Sequence, residues 1–297
     1  MVLCLASPEK ILASACCVGG GGAKSFLNLE ELESYELGIS YSFSDSFGLF
    51  DPYGDLYETN VNQMMAVSMG GAFRIAQNWD VYFVLPWVNQ LSQYPGEIYT
   101  SNALGDVYGG VRTTLLRSLF YNDWYPTIMA YASLKFPSGQ LERFLPNGSL
   151  YLGTGDGTYA PTVGVNLSKE ILPWLFYFTA SYTPHFLATL PAPTGGIMQY
   201  LKGDIYDITE SLAYVASRRL SASLGFEQTW STEAYVNGVI QPLSSTRVGS
   251  AFVAGTYFLS RLCSLILGVS AAIPYSGFGE NLLATRAITL TTKYGFF

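Results

Sequence analysis

The ten residues that run from Ile288 to Phe297, ITLTTKYGFF, decide the fold class. Successive side chains of an extended strand point to opposite faces. One face would then carry Ile288, Leu290, Thr292, Tyr294 and Phe296, and the other Thr289, Thr291, Lys293 and Gly295. An apolar face that ends in aromatic residues, backed by a small or polar face, predicts a strand of a transmembrane β-barrel.

The aromatic end of this strand also resembles the signal that the barrel-assembly machinery of bacterial outer membranes reads. We therefore expect Tyr294, Phe296 and Phe297 to form an assembly signal, with the assembly machinery as a partner. The alternation places Phe296 on the lipid face and leaves Phe297 as one extra residue.

The composition favours contact with lipid. Of the 297 residues, 49% are hydrophobic and only 12% are charged, whereas soluble domains carry about 25% charged residues. No stretch reaches the ~18 to 20 apolar residues of a transmembrane helix. A spanning chain without such helices must close a barrel, because unpaired backbone groups cannot lie in hydrocarbon. A soluble β-rich domain with a large core is the alternative.

The net charge of −7 argues against nucleic acid as a partner. Residues 1–15 are interpreted as a signal peptide or its remnant, 16–35 as a periplasmic segment and 36–297 as the barrel, with Ala13-Ser14-Ala15 as the cleavage site. A lipid-modified Cys16 is the rival interpretation. Cys16 or Cys17 could pair with Cys263 in the oxidising periplasm, or these thiols stay free.

About twelve segments alternate in the manner of an antiparallel, up-and-down all-β barrel. Long and short connections alternate between them, as in outer-membrane barrels, with 117–125 as the connection that fits least well. A soluble sandwich has no reason to alternate loop length. The segments are 36–44, 63–76, 79–88, 104–116, 126–136, 158–168, 173–185, 204–216, 220–230, 248–259, 263–273 and 284–297.

The facing of side chains follows from the alternation. A charge on the lipid face is unfavourable by about 2–4 kcal/mol at mid-membrane for Arg or Lys, so charged residues are assigned inward. The predicted pore-lining residues are Arg74, Arg112, Tyr131, Lys135, Tyr177, Glu227 and Lys293.

The assigned orientations lead to two expectations and leave one segment open. The predicted lining is net positive, which favours anions in a pore, unless inward carboxylates pair with it and fill the barrel. In 204–216 the alternation would turn Glu210 outward, so we expect a bulge or register break there. Segment 248–259 is apolar on both faces and cannot be oriented from its pattern.

Three stretches resemble one family of outer-membrane proteins. They are Ala103-Leu104-Gly105-Asp106-Val107, Lys135-Phe136-Pro137-Ser138-Gly139 and Leu152-Gly153-Thr154-Gly155. In this order and spacing they resemble the MetA-pathway of phenol degradation family of outer-membrane transporters. The resemblance implies a barrel of about twelve strands and passage of small hydrophobic or aromatic compounds. By themselves, Gly139, Gly153 and Gly155 are read as glycines that permit turns with positive φ.

No catalytic constellation stands out, and no cofactor or metal motif is found. His185 is the one histidine; Ser181 lies on the same alternating face, but no further motif accompanies them, and an isolated histidine at a girdle is more often a surface residue. The leading hypothesis is a monomeric porin-like channel in the bacterial outer membrane, with lipids and a small solute as partners. The competing hypothesis is a closed structural or surface-binding barrel that acts through its loops, 45–62 above all.

Overall fold

The structure is a computed structural model, and it describes most of the chain from Ser34 onward. The described residues are 34–51, 53–57, 62–94, 97–118, 124–140, 154–155, 157–191, 196–242, 244–260, 262–275, 278–280 and 282–296. The interpretations of 1–33 as a leader and periplasmic segment, of Cys16 and Cys17, and of Phe297 concern residues outside this set.

The described residues form β-strands joined by turns and loops. In chain order the strands are β1 (Tyr35–Phe50), β2 (Leu56–Tyr57), β3 (Asn62–Ala76), β4 (Trp79–Tyr94), β5 (Glu97–Leu104), β6 (Val107–Leu116), β7 (Thr127–Phe136), β8 (Ala160–Ile171), β9 (Trp174–Thr183), β10 (Ala188–Pro191), β11 (Ile197–Leu201), β12 (Ile205–Ser217), β13 (Leu220–Ser231), β14 (Tyr235–Val236), β15 (Val239–Ile240), β16 (Thr246–Phe258), β17 (Cys263–Ala272), β18 (Gly279–Glu280) and β19 (Leu283–Phe296). No helix of this part of the chain is long and apolar enough to cross a membrane.

Twelve long antiparallel strands close into a barrel, as the sequence predicts. Around the wall the order is β1, β3, β4, β6, β7, β8, β9, β12, β13, β16, β17 and β19. The circle closes because β1 pairs with β19 and β13 pairs with β16. Closure leaves the described barrel wall without an open sheet edge, which is what hydrocarbon surroundings require.

The two ends of the barrel differ in their connections, as predicted. At one end, which we call the turn end, β3–β4, β8–β9 and β12–β13 are joined by two residues each, 77–78, 172–173 and 218–219. At the other, the loop end, the connections are longer and carry β10, β11, β14 and β15, which form a small separate sheet.

Several strands continue beyond their predicted ends. The stretch 89–103, expected as a loop, is mostly a hairpin in which β4 extends to Tyr94 and pairs with β5. β1 extends to Phe50 and pairs with β2, so the expected loop 45–62 is shorter than predicted. Regular pairing continues here because the cross-strand partners satisfy backbone groups that a loop would leave to water.

The outer face of the barrel is apolar and exposed, as the alternation predicts. Exposed outward side chains include Ile39 and Tyr41 of β1, Val67 and Met69 of β3, Leu267 and Val269 of β17, and Ile288 and Leu290 of β19. The residues between them face inward and are small, polar or charged; Ser40 and Thr291, for example, are buried and hydrogen-bond each other at 2.8 Å. This is the inverse of a soluble protein and matches a membrane barrel.

β16 takes an orientation that its sequence alone left open. Val253 and Tyr257 are exposed on the outer face, whereas Phe252, Ala254 and Thr256 are buried inside. Phe252 fits inside because it pairs with Gly225 of β13, and a Cβ on Gly225 would overlap the Phe252 ring.

The pairing of an inward aromatic residue with a cross-strand glycine recurs elsewhere on the inner wall. Tyr82 pairs with Gly110, and its ring lies where a Cβ on Gly110 would be. Tyr131 pairs with Gly164 and covers it in the same way. An aromatic ring that lies flat over a cross-strand glycine shields the backbone and fills the space that the missing side chain leaves.

The prediction of a bulge near Glu210 is wrong. Pairing on both sides of β12 is continuous from Ile205 to Tyr214, and the shift in register comes only after Val215. Glu210 is therefore exposed on the outer face, in the same row as Ile208 and Leu212. Regular hydrogen bonds along the whole strand outweigh the cost of one outward carboxylate.

Candidate functional site

The inner wall carries an ion-paired row close to the turn end. The register places Asp80 of β4 opposite Arg74 of β3 on one side and opposite Arg112 of β6 on the other. Asp80 Oδ1 accepts from Arg74 Nε and Asp80 Oδ2 from Arg112 Nη2, both at 3.1 Å. One carboxylate therefore serves two of the predicted inward cations.

A second ion pair lies beside this row on the strands that close the barrel. Lys293 Nζ lies 3.5 Å from Glu36 Oε1, and both side chains are buried. The pairing is diagonal across β1 and β19, since Gly38 is directly opposite Lys293. Each of these predicted basic residues has an inward carboxylate that the sequence analysis did not assign.

The wall formed by β9, β12 and β13 presents hydroxyls around a carboxylate. Asp207 accepts from Ser181 Oγ at 3.1 Å and from Thr229 Oγ1 at 2.7 Å. Glu227 lies on the same face of β13, two residues before Thr229. Tyr177 of β9 also faces inward, where it packs against the cluster of Leu175 and Ala213.

The charge of the inner wall differs from the prediction. Arg74, Arg112, Lys135 and Lys293 do face inward, but so do at least five carboxylates of the described residues: Glu36, Asp80, Asp106, Asp207 and Glu227. The expected net positive lining is therefore wrong. Of these five acids Glu227 was predicted to face inward. The other four were missed because most of them follow a turn or begin a strand, where the sequence pattern does not separate wall from loop.

The three family-like motifs meet at the loop end of the barrel. Asp106, in the break between β5 and β6, accepts from Gly139 N at 3.0 Å and lies 3.6 Å from Lys135 Nζ. Ser138 Oγ accepts from Val107 N at 2.9 Å and donates to Gly105 O at 3.0 Å. The first and second motifs are thus joined by side-chain bonds to backbone.

The third motif joins the other two. Thr154 Oγ1 donates to Leu104 O at 2.7 Å and accepts from Gln140 N at 2.9 Å. Gly155 N donates to Gln140 O at 3.0 Å. We call residues 104–107, 135–140 and 154–155 the mouth cluster.

The mouth cluster lies against the inside of the wall. A Cβ on Gly105 would lie 3.0 Å from Pro86 and 3.1 Å from Val88, two inward residues of β4, and 3.3 Å from Thr154 O. Ser101 Oγ, also inward, is 3.5 Å from Gln140 Oε1. The described residues of the connection after β7, 137–140 and 154–155, therefore lie against the inner side of β4 and β5.

The glycines of the mouth cluster serve close approach rather than turn geometry. A Cβ on Gly139 would lie 2.7 Å from Gly155 N, and one on Gly155 would overlap the Asp106 carboxylate. The described glycines with positive φ are instead Gly54, Gly157, Gly196 and Gly238. The expectation of positive φ is therefore wrong for Gly139 and Gly155, and Gly153 lies outside the described residues.

His185 is buried at the loop end, contrary to the expectation of a surface residue. Its backbone N donates to Asp204 Oδ1 at 3.2 Å, and Tyr182 OH donates to Asp204 Oδ2 at 2.6 Å. Ser181 Oγ donates to Asp207 rather than to His185.

Cys263, the remaining thiol considered above, is half-buried at the turn end and forms no disulfide with a described residue.

Comparison with known proteins identifies relatives in fold. No protein-family model matches the chain, and no curated protein does. Among solved structures, the COG4313 outer membrane channel from Pseudomonas putida F1 superposes with a TM-score of 0.76 at 13% identity, covering 91% of this chain and 100% of that one.

Two autotransporter domains are similar to a lesser degree. The beta domain of the Bordetella autotransporter Brka has a TM-score of 0.53 at 10% identity and covers 89% of this chain and 100% of that one. The transport unit of AIDA-I from Escherichia coli has a TM-score of 0.50 at 10% identity, with 91% and 93% covered. At these identities the likeness concerns the fold: this chain has the closed twelve-stranded antiparallel barrel of outer-membrane channels.

Proposed function

We propose that the protein is a bacterial outer-membrane channel through which small solutes pass passively along the inner wall. The observation that carries the proposal is the polar inner face, which runs from Asp80 at the turn end to Asp106 at the mouth inside an apolar exterior. Polar side chains inside a barrel have no lipid to contact, and a water-filled path is the usual reason for them. The fold shared with an outer membrane channel supports the proposal.

The path favours cations or neutral solutes rather than anions. Carboxylates outnumber cations on the described inner wall, and rings of acidic side chains favour cations in pores. We therefore replace the anion preference expected from the sequence with a weak cation preference, to which Asp207 contributes.

Planar-bilayer recording of the full chain tests this function. We expect discrete conductance steps and a reversal potential in a KCl gradient that indicates cation preference. Asp207→Asn should shift the reversal potential toward anions, whereas Asp55→Asn, a change at an exposed loop residue, should leave it unchanged. Protein that is folded but gives neither conductance steps nor liposome swelling would contradict a channel.

The passage of hydrophobic or aromatic compounds is the finer part of the proposal and rests on the resemblance of the mouth-cluster motifs to the phenol-degradation family. Liposome uptake of phenol compared with uptake of a small sugar measures it. We expect vesicles that contain the protein to take up phenol faster than protein-free vesicles do. If the sugar and phenol permeate through the protein equally fast, the protein is a general porin without preference for aromatic compounds.

A second function is favoured by one observation. Arg112 and Lys293 are each only 6% exposed, so little water surrounds them, as in a filled barrel. In that case the barrel is a closed scaffold whose loop-end surface binds a ligand, and Tyr53 (81% exposed) and Tyr57 (57%) are the exposed aromatic residues after β1. Removing residues 51–57 would then abolish binding at the cell surface while solute uptake stayed at the level of protein-free membranes.

A further inference from the structure

Glu210 lies on the lipid side of the wall, half-way between two belts of aromatic residues. Tyr214, toward the turn end of β12, contacts Trp174 with ring centroids 4.9 Å apart. Tyr206, toward the loop end, stacks on Trp230 at 5.6 Å. Aromatic belts mark the two membrane interfaces, so Glu210 is placed near the middle of the hydrocarbon.

A groove runs across the outer wall next to this carboxylate. Its two ridges are rows of outward side chains on β8, β9, β12 and β13, which the strand register sets side by side. The ridge nearer the loop end consists of Leu167, Phe178, Glu210 and Phe226; the other consists of Lys169, Phe176, Leu212 and Leu224. The floor is the backbone of the row between them, and the volume is about 610 Å³.

The groove is apolar except for its two charged residues, and only one of these has a partner. Lys169 Nζ donates to Tyr125 O at 3.2 Å and to Ser118 Oγ at 3.4 Å, in the connection between β6 and β7. Among the described residues, none donates a hydrogen bond to the Glu210 carboxylate or forms an ion pair with it. An acyl chain has no donor to offer, and lipid head groups lie at the aromatic belts.

We propose that this groove is a binding site for a membrane-dissolved amine: a compact apolar body with an ammonium group that pairs with Glu210. The volume suits a small organic molecule, since ligand pockets span about 300–1,000 Å³. The phenyl rings of Phe178 and Phe226 flank the carboxylate and contact the apolar body. A charge-assisted hydrogen bond in hydrocarbon is strong because no water competes for it.

The site is separate from the inner wall and does not depend on a channel function. Glu210 points away from Ser211, which faces inward on the same strand. A ligand would reach the groove from the bilayer, sideways, without passing through the barrel.

Binding is measured with the full chain in phosphatidylcholine vesicles and two fluorescent probes. The first is dansylcadaverine, which carries a primary ammonium; the second is a dansyl amide with the same alkyl chain and no ammonium. Energy transfer from the tryptophans, of which Trp174 lies beside the groove, reports occupancy. We expect saturable binding of the ammonium probe and weak binding of the neutral one.

Three variants make the test specific. Glu210→Gln keeps the shape of the side chain and removes its charge. It should lower the affinity for the ammonium probe about tenfold or more and leave the affinity for the neutral probe unchanged. Leu224→Trp fills the groove and should prevent binding of the ammonium probe even though Glu210 is intact. Glu233→Gln, the same acid-to-amide change in the loop between β13 and β14, should change nothing.

Two outcomes would overturn the proposal. If wild type and Glu210→Gln bind the ammonium probe equally, the groove holds an acyl chain without regard to charge. If Glu210→Gln instead changes the oligomeric state of the protein in detergent, the groove is a contact between copies of the chain. The folded state of each variant is checked by its resistance to SDS before heating.

Discussion

At the residue scale, Asp80 is a carboxylate of the inner wall that pairs with two cations. It accepts from Arg74 and Arg112 at once, and its side chain is 11% exposed. Removing one partner of a buried ion pair takes away part of the compensation of the other charge, and the penalty exceeds the net contribution of the intact pair. The row is therefore sensitive to loss of its acid.

We predict that Asp80→Asn lowers the free energy of unfolding by about 3 kcal/mol or more. The reason is that two guanidinium groups would each lose the ion pair with the carboxylate that they share. Urea unfolding in phospholipid vesicles, followed by tryptophan fluorescence, measures the change. Asp55→Asn is the matched control, and equal stability of the two variants would show that water inside the barrel already compensates Arg74 and Arg112.

The mouth cluster gives a second prediction for single residues. Gly155→Ala would place a Cβ onto the Asp106 carboxylate and 2.9 Å from Gly139 Cα. We expect a loss of about 1–3 kcal/mol, because neither backbone nor the paired carboxylate can move aside freely.

Gly255 provides the control for this substitution. A Cβ there meets no heavy atom within 4 Å, so Gly255→Ala should change the free energy of unfolding by less than about 0.5 kcal/mol. A loss of similar size in both variants would mean that glycine in these segments matters for chain entropy rather than for close approach.

At the element scale, β16 shows how neighbours orient a strand. Both of its faces are apolar in sequence. Phe252 faces inward because its cross-strand partner on β13 is Gly225, which leaves room for the ring. In the same register Val253 pairs with Leu224, and both side chains are exposed on the outer face. The strand therefore takes its facing from pairs, not from its own pattern.

We predict that the depth of an outward charge decides its cost on β16. Val253→Arg, between the aromatic belts, should destabilise the barrel by about 2–4 kcal/mol, and Tyr257→Arg, near the turn end, by about 0–1 kcal/mol. The same vesicle unfolding assay compares the two. Equal costs, or a larger cost for Tyr257→Arg, would mean that Val253 does not face the middle of the hydrocarbon.

At the scale of the whole molecule, closure depends on the first and last strands. β1 pairs with β19 from Tyr35–Phe296 up to Leu49–Leu283, with a single shift near Gly48. The terminal strand must be in place before this seam can form. Tyr294 and Phe296, the described residues of the expected assembly signal, are exposed on the outer face, and their rings contact each other at 4.7 Å.

We predict that Phe296→Ala lowers the amount of folded protein in the outer membrane severalfold while total synthesis stays constant. The measurement is the heat-sensitive band on SDS gels of isolated membranes. Phe186→Ala, which removes an equally large exposed ring after β9, is the control. Normal assembly of Phe296→Ala would show that the terminal aromatic is not read.

The sequence was most informative where the pattern is local. Alternation along 220–230 and 288–297 predicted the strands and their faces, and Arg112, Lys135 and Lys293 are buried inside as expected. It failed where a residue's position depends on a neighbour far along the chain. Asp80 and Glu36 were not recognised as inward acids, and Glu210 was expected to be removed from lipid by a bulge that is absent.

By itself, then, the order of amino acids determined a closed barrel with an apolar exterior, because period-two alternation acts within each strand and lipid leaves backbone groups no other solution. Only the tertiary structure decided which charges pair, that three distant motifs form one mouth cluster, and that a carboxylate remains on the outside. These depend on register between strands, and register joins residues as far apart as Glu36 and Lys293. No local pattern encodes such a distance, since cross-strand contacts exist only once the circle is complete.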